Sequence, residues 1–169
     1  TVDVDMPTAV SDYTSWGIKQ DLELRPDIMG VGGYVESAVY GGTDELSGTW
    51  MASPYLAGCA AVLNEYLTRQ GLSLDGAEKL RYMRNLLMTS AVPYEEDGLY
   101  VTPRRQGSGL VSLNNVIADK VLLTGQEGES KIMLGSSLGD SFGFDLNLRN
   151  LSDKDVRSEE HTSELQSLA

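Results

Sequence analysis

The stretch Ser47-Gly48-Thr49-Trp50-Met51-Ala52-Ser53-Pro54, SGTWMASP, sets one of the chain's two tryptophans among small residues. It opens the strongest helical signal in the sequence, running from Met51 to Gln70. Pro54 suits a first helical turn, where its missing N–H costs little. Tyr55 to Leu63 is apolar all round, a pattern that predicts burial on every side. Polar Asn64, Glu65, Thr68 and Arg69 follow, and Gly71 fits the position just past a helix end. Ala57, Gly58, Ala60 and Ala61 would admit close neighbours. The first N–H groups of such a helix lack intrahelical partners and lie at the positive end of its dipole. A developing oxyanion could be stabilised there, which is the local physics of an acyl-transfer site. Trp50 stands where that chemistry needs a hydroxyl.

Upstream of this helix, Thr1 to Asp12 reads as a short strand and loop, and Tyr13 to Gly17 is β-prone. Arg25-Pro26-Asp27-Ile28-Met29 leads into the glycine-rich turn Gly30-Val31-Gly32-Gly33. Tyr34 to Tyr40 alternates as a strand would and is broken by Gly41-Gly42. Downstream, a second helix is expected from about Asp75 to Ser90. Leu80, Met83, Leu86 and Leu87 share one face, with Lys79, Arg81 and Arg84 outside. Glu95-Glu96-Asp97 reads as a solvated acidic turn rather than a cation site. Asn114 to Lys120 is a further short helix. After Lys120 the pattern changes to short strands at Val121–Leu123, Lys131–Leu134 and Phe142–Leu148, separated by Gly125, Gly128, Gly135 and Gly139-Asp140. That spacing predicts the opening of a β-sandwich, with a boundary near Asp119.

Composition narrows the function classes. The 169 residues are 41% apolar, with 18 glycines and 5 prolines, which suits a globular chain with tight turns. The net charge of −12 repels nucleic acid phosphates and anionic membranes, so neither is an expected partner. No apolar stretch reaches the roughly 18 residues of a membrane span. The single cysteine, Cys59, allows no internal disulfide and reads as a small core filler. The only histidine is His161, so no zinc ligand set is available, and no metal or other cofactor is expected. Gly30-Val31-Gly32-Gly33 lacks dinucleotide spacing. Asn150-Leu151-Ser152 matches a glycosylation acceptor, a triplet that arises often by chance.

Taken together, SGTWMASPYLAG resembles the nucleophile motif of the subtilisin-like serine peptidases, SGTSMASPHVAG. Tyr13 to Gly17 and Asp21 to Met29 are similar to the family's segments ahead of the nucleophile. Val101 to Ile117 resembles the closing segment of its catalytic domain. The later strands resemble the fibronectin-type-III-like domain of lactocepin-type cell-envelope proteinases. The resemblance spans nearly all of Tyr13 to Val156. It implies an α/β fold: the C-terminal part of a doubly wound parallel sheet, followed by the first strands of a β-sandwich. It divides the chain into a peptidase part at 1–118 and an incomplete β-domain at 119–156. Residues 157–169, with Arg157 to Ser167 reading RSEEHTSELQS, resemble the translation of a sequencing-library adapter and are expected not to be native.

The same resemblance implies a secreted or cell-wall-attached endopeptidase acting on peptide or protein substrates. It places Trp50 at the nucleophile position, Gly48 and Thr49 at the oxyanion turn, and Gly32 and Gly33 along the substrate groove. The family's Asp, His and oxyanion Asn fall upstream of this stretch. Three departures stand out: Trp50 for serine, Gly30-Val31-Gly32 for alanine-proline-glycine, and Tyr55 for a histidine that is not the catalytic base. Indole has one N–H donor, no hydroxyl and no acceptor, so Trp50 cannot attack a carbonyl. Two origins are open at this point: a pseudopeptidase that keeps a peptide-binding or scaffold role, or one altered base converting a TCG serine codon to TGG. In either case this chain is expected to be inactive.

Overall fold

The computed structural model describes residues 9–20, 23–119, 121–133, 140–152, 154 and 155. Residues 1–8 of the expected strand and loop at Thr1 to Asp12, the end of the Lys131–Leu134 strand and the stretch Arg157 to Ala169 with His161 lie outside them. The chain runs β1 (Val35–Val39), β2 (Gly42–Leu46), α1 (Thr49–Arg69), α2 (Gly76–Thr89), β3 (Glu95–Glu96), β4 (Leu99–Tyr100), α3 (Pro103–Gln106), α4 (Leu113–Asp119), β5 (Val121–Gly125) and β6 (Leu146–Asn150). The mixture of helix and strand is the α/β content expected. The described strands form three two-stranded antiparallel sheets, and parallel pairing occurs at one bridge, Met29 with Leu110.

β1 and β2 are a hairpin, with Val35 opposite Leu46 and Val39 opposite Gly42. Its two-residue turn needs a positive φ, supplied by Gly41 at +88°. The break foreseen at Gly41-Gly42 is therefore the turn itself, and Gly42 begins the second strand. Tyr13 to Gly17, expected as β-prone, is irregular. The Gly17 N–H is taken by the Arg104 carbonyl at 2.8 Å rather than by a ladder partner.

α1 starts at Thr49, two residues before the expected Met51, so Pro54 is the sixth helical residue and not in the first turn. Its ring leaves the Trp50 carbonyl without an intrahelical donor. The expected burial on every side is also corrected. Cys59, Leu63 and Leu67 are buried at four-residue spacing, whereas Trp50, Tyr55 and Val62 are exposed. The described segments cover one stripe of this apolar helix, and the rest of its circumference faces none of them.

α2 follows its sequence signals closely. The Asp75 side chain caps it by accepting from the Glu78 N–H at 2.8 Å. Met83 and Leu86 are buried as expected, but Leu80, expected on the same face, is 68% exposed and outside the core cluster. Glu95 and Glu96 form β3, paired with β4 across the turn at Asp97-Gly98, where a solvated loop was expected. β6 begins four residues later than Phe142, and 142–145 and 131–133 are irregular.

The principal core joins Leu63 and Leu67 of α1, Met83 and Leu86 of α2, Val116 of α4 and Leu122 of β5. Leu122 lies past the boundary placed near Asp119, yet it packs with the helices. Side-chain hydrogen bonds reinforce this. Buried Asn85 of α2 donates to the Gly128 carbonyl at 2.7 Å and accepts from the Ser130 N–H at 2.9 Å. The segment after α4 is thus fastened to α2 by both apolar and polar contacts.

Candidate active site

The amino end of α1 is built from small residues because the glycine turn presses against it. Gly48 is the N-cap, and its carbonyl accepts from Met51 N–H at 3.0 Å and Ala52 N–H at 3.4 Å. Its own N–H donates to the Gly32 carbonyl at 2.8 Å, which also accepts the Tyr13 hydroxyl at 3.0 Å. A Cβ added to Gly32 would lie 2.7 Å from the Gly48 oxygen and 3.1 Å from the Ala52 Cβ. A side chain there would separate the two segments. Ser47 Oγ accepts from the Tyr34 N–H at 2.8 Å, tying the hairpin to the same turn.

These contacts enclose a cavity of about 340 Å³, lined by Gly30 to Gly33, Gly48, Thr49, Ala52 and Leu56 among others. The four glycine and threonine positions singled out in the sequence, Gly32, Gly33, Gly48 and Thr49, therefore meet at one cleft. Trp50 is the second residue of α1 and 66% exposed. Its indole folds back over Gly48, so closely that a Cβ on that glycine would fall 2.5–2.8 Å from the ring. The ring lies beside the cavity and does not line it.

Two titratable side chains further along α1, Tyr55 and Cys59, offer no activated nucleophile. Cys59, further along α1, is buried, and that burial raises its thiol above the usual value. Tyr55 is raised as well, first by burial and then by the adjacent Cys59. Both keep their protons at neutral pH, and a thiol without thiolate character is a poor nucleophile. Among the described residues, no three His, Cys, Asp or Glu side chains gather to hold a metal ion, and no helix is long and apolar enough to cross a membrane.

A profile of the subtilase family, peptidase S8, matches residues 2–117. The chain belongs to the subtilase family. This subtilase chain is 31% identical over 150 residues to a C5a peptidase of Streptococcus pyogenes serotype M6, covering 87% of the chain and 13% of that relative. It is 34% identical over 119 residues to the PII-type proteinase of Lactococcus lactis subsp. cremoris, covering 64% of the chain and 6% of the proteinase. It spans about an eighth of the C5a peptidase relatives, at 13% of their length. The prenylagaramide maturation protease PagA is a structural neighbour at TM-score 0.46 and 28% identity, covering 60% of this chain and 34% of that one.

Two contributors to the site lie in stretches quoted from the sequence, but their contacts were not legible there. Tyr13 and Ser47 act through single hydrogen bonds to backbone atoms 19 and 13 residues away. No spacing or periodicity in those stretches points to the partners Gly32 and Tyr34.

Proposed function

We propose that this subtilase chain is the part of a secreted or cell-wall-attached endopeptidase of lactocepin type that carries the nucleophile position, silenced there by Trp50. Residues 1–118 would be the C-terminal part of a doubly wound catalytic domain. Residues 119–156 would open a fibronectin-like β-domain, and 157–169 would be adapter-derived. The extent of the family match, 2–117, and the names of the relatives support this reading. The observation that carries it is the placement of Trp50 as the second residue of α1, directly after Ser47-Gly48-Thr49, with an indole in place of a hydroxyl. Peptide substrates would add as an extended strand along the cleft wall at Gly32 and Gly33.

The test is Trp50→Ser in the full-length parent, assayed on casein. In subtilisin itself, loss of the nucleophile costs about 2 × 10⁶ in turnover. The tryptophan parent should be silent, and the serine variant should gain cleavage on that order. Casein cleavage by the tryptophan parent, with a serine-directed label mapping to this peptide, would end the proposal of a silenced site.

A second reading, a peptide-binding module without turnover, is favoured by one observation: the cavity stays open beside the Trp50 ring. It expects the tryptophan parent to bind casein-derived peptides by fluorescence polarisation without cutting them. Absence of binding would dismiss it.

A further inference from the structure

Asp27 lies at the root of the glycine turn that walls the cleft. Its carbonyl accepts from the Ser108 N–H at 3.0 Å. Met29 donates to the Gly109 carbonyl at 2.8 Å and accepts from the Val111 N–H at 3.0 Å. The position of Asp27 therefore sets where the wall begins. Its carboxylate meets cations from three parts of the chain: Arg25 beside it, Arg84 of α2 at 3.1 Å, and Lys131 beyond β5 at 2.9 Å.

Lys131 differs from the two arginines. Its side chain is 11% exposed, against 37% for each of them. An ammonium has three donors, and all three find acceptors in one short segment. They go to Glu23 Oε1 at 2.7 Å, the Leu24 carbonyl at 3.1 Å and Asp27 Oδ1 at 2.9 Å. Exposed ion pairs contribute little, but a largely buried ammonium with charged acceptors forms the stronger class of hydrogen bond. Arg84 adds a link from Asp27 to Glu129 at 3.5 Å. Lys131 itself lies outside the stretch that matches the family, residues 2–117.

We propose that Lys131 is a positioning residue for the cleft: it reaches back from the segment after β5, clasps residues 23–27, and thereby holds the wall from Ile28 to Gly33 against the start of α1. The cleft of this chain then depends on a residue contributed from outside the peptidase part.

The test is hydrogen–deuterium exchange on the whole chain, comparing Lys131→Met with the unmodified sequence. The reporters are peptides carrying the Met29 and Val111 amides, with the Leu86 to Ser90 end of α2 as control. Loss of the clasp should speed exchange of the reporters about tenfold, the equivalent of one charge-assisted hydrogen bond, and leave the control nearly unchanged. In the unmodified chain, salt at about 1 M should produce the same selective rise in smaller measure, since partly buried pairs are screened less than exposed ones. If the variant does not fold, the salt comparison decides alone. Equal acceleration of reporters and control, reporters indifferent to both perturbations, or reporters already unprotected in the unmodified chain would each overturn the proposal.

Discussion

Leu122→Ala tests whether the strand after α4 belongs to the same cooperative unit as the helices. Leu122 is 7% exposed and packs with Leu63, Leu67, Met83, Leu86 and Val116. Truncating such a leucine costs about 2–5 kcal/mol, from the lost transfer energy and the cavity left behind. The residual 7% exposure and the strand's freedom to settle place this site near 3 kcal/mol, roughly a hundredfold in the folded-to-unfolded ratio. With a urea slope of about 2 kcal/mol per molar, the midpoint should fall by about 1.5 M. Trp16 and Trp50 both precede Asp119, and Trp16 sits 5.2 Å beneath the Arg105 guanidinium. Tryptophan fluorescence therefore reports on the part of the chain upstream of the substitution. The fluorescence midpoint should fall together with the far-UV circular dichroism. An unchanged fluorescence midpoint beside an altered dichroism curve would show two independent units. So would the absence of any cooperative transition in the unmodified chain refute a shared core.

Acid sensitivity should trace to Glu23, whose carboxyl is held down to about 2 from 4.5 by hydrogen bonds from Lys131 first and then Lys19, with Arg25 adding to them. A depressed folded value makes this contribution complete above about 4.5 and lost as pH falls through about 2. Glu23→Gln should flatten the acid-unfolding curve across that window, and superimposable curves for the two proteins would dismiss the assignment. Gln106 is 4% exposed; its side-chain amide donates to the Val101 and Tyr94 carbonyls, and its side-chain oxygen accepts from the Tyr94 N–H at 2.7 Å. Gln106→Leu should cost about 3 kcal/mol, a fall in Tm of roughly 6–12 °C by calorimetry; a fall under about 2 °C would mean that these bonds are energetically idle. Asp75→Ala should cost about 1 kcal/mol through the lost cap of α2, with Asp75→Asn restoring most of it in the same calorimetric comparison.

The helices were legible because their signals are local. The expected start near Asp75 is the cap of α2, and Met83 with Leu86 marked its inner face. Ser47 to Pro54 marked the amino end of α1 within two residues, and with it the position of Trp50. The glycine turn at Gly30 to Gly33 was legible for the same reason, since close approach of two backbones leaves no room for a side chain. Short strands were harder. β3 and β4 are two residues each, and their pairing depends on a partner rather than on composition. Burial was misjudged along α1 because apolarity records what a helix could bury, while neighbours decide what it does bury.

By itself, the sequence determined that a long helix begins within two residues of Thr49, and that Trp50 at its start carries no hydroxyl. Tertiary structure alone decided that Tyr13 bonds to Gly32, that Leu122 joins the helices in one core, and that Lys131 grips residues 23–27. The two hydrogen bonds among these join residues 19 and 108 positions apart. Pairings at that range leave no mark on periodicity or capping, because they arise only when separate segments fold against each other.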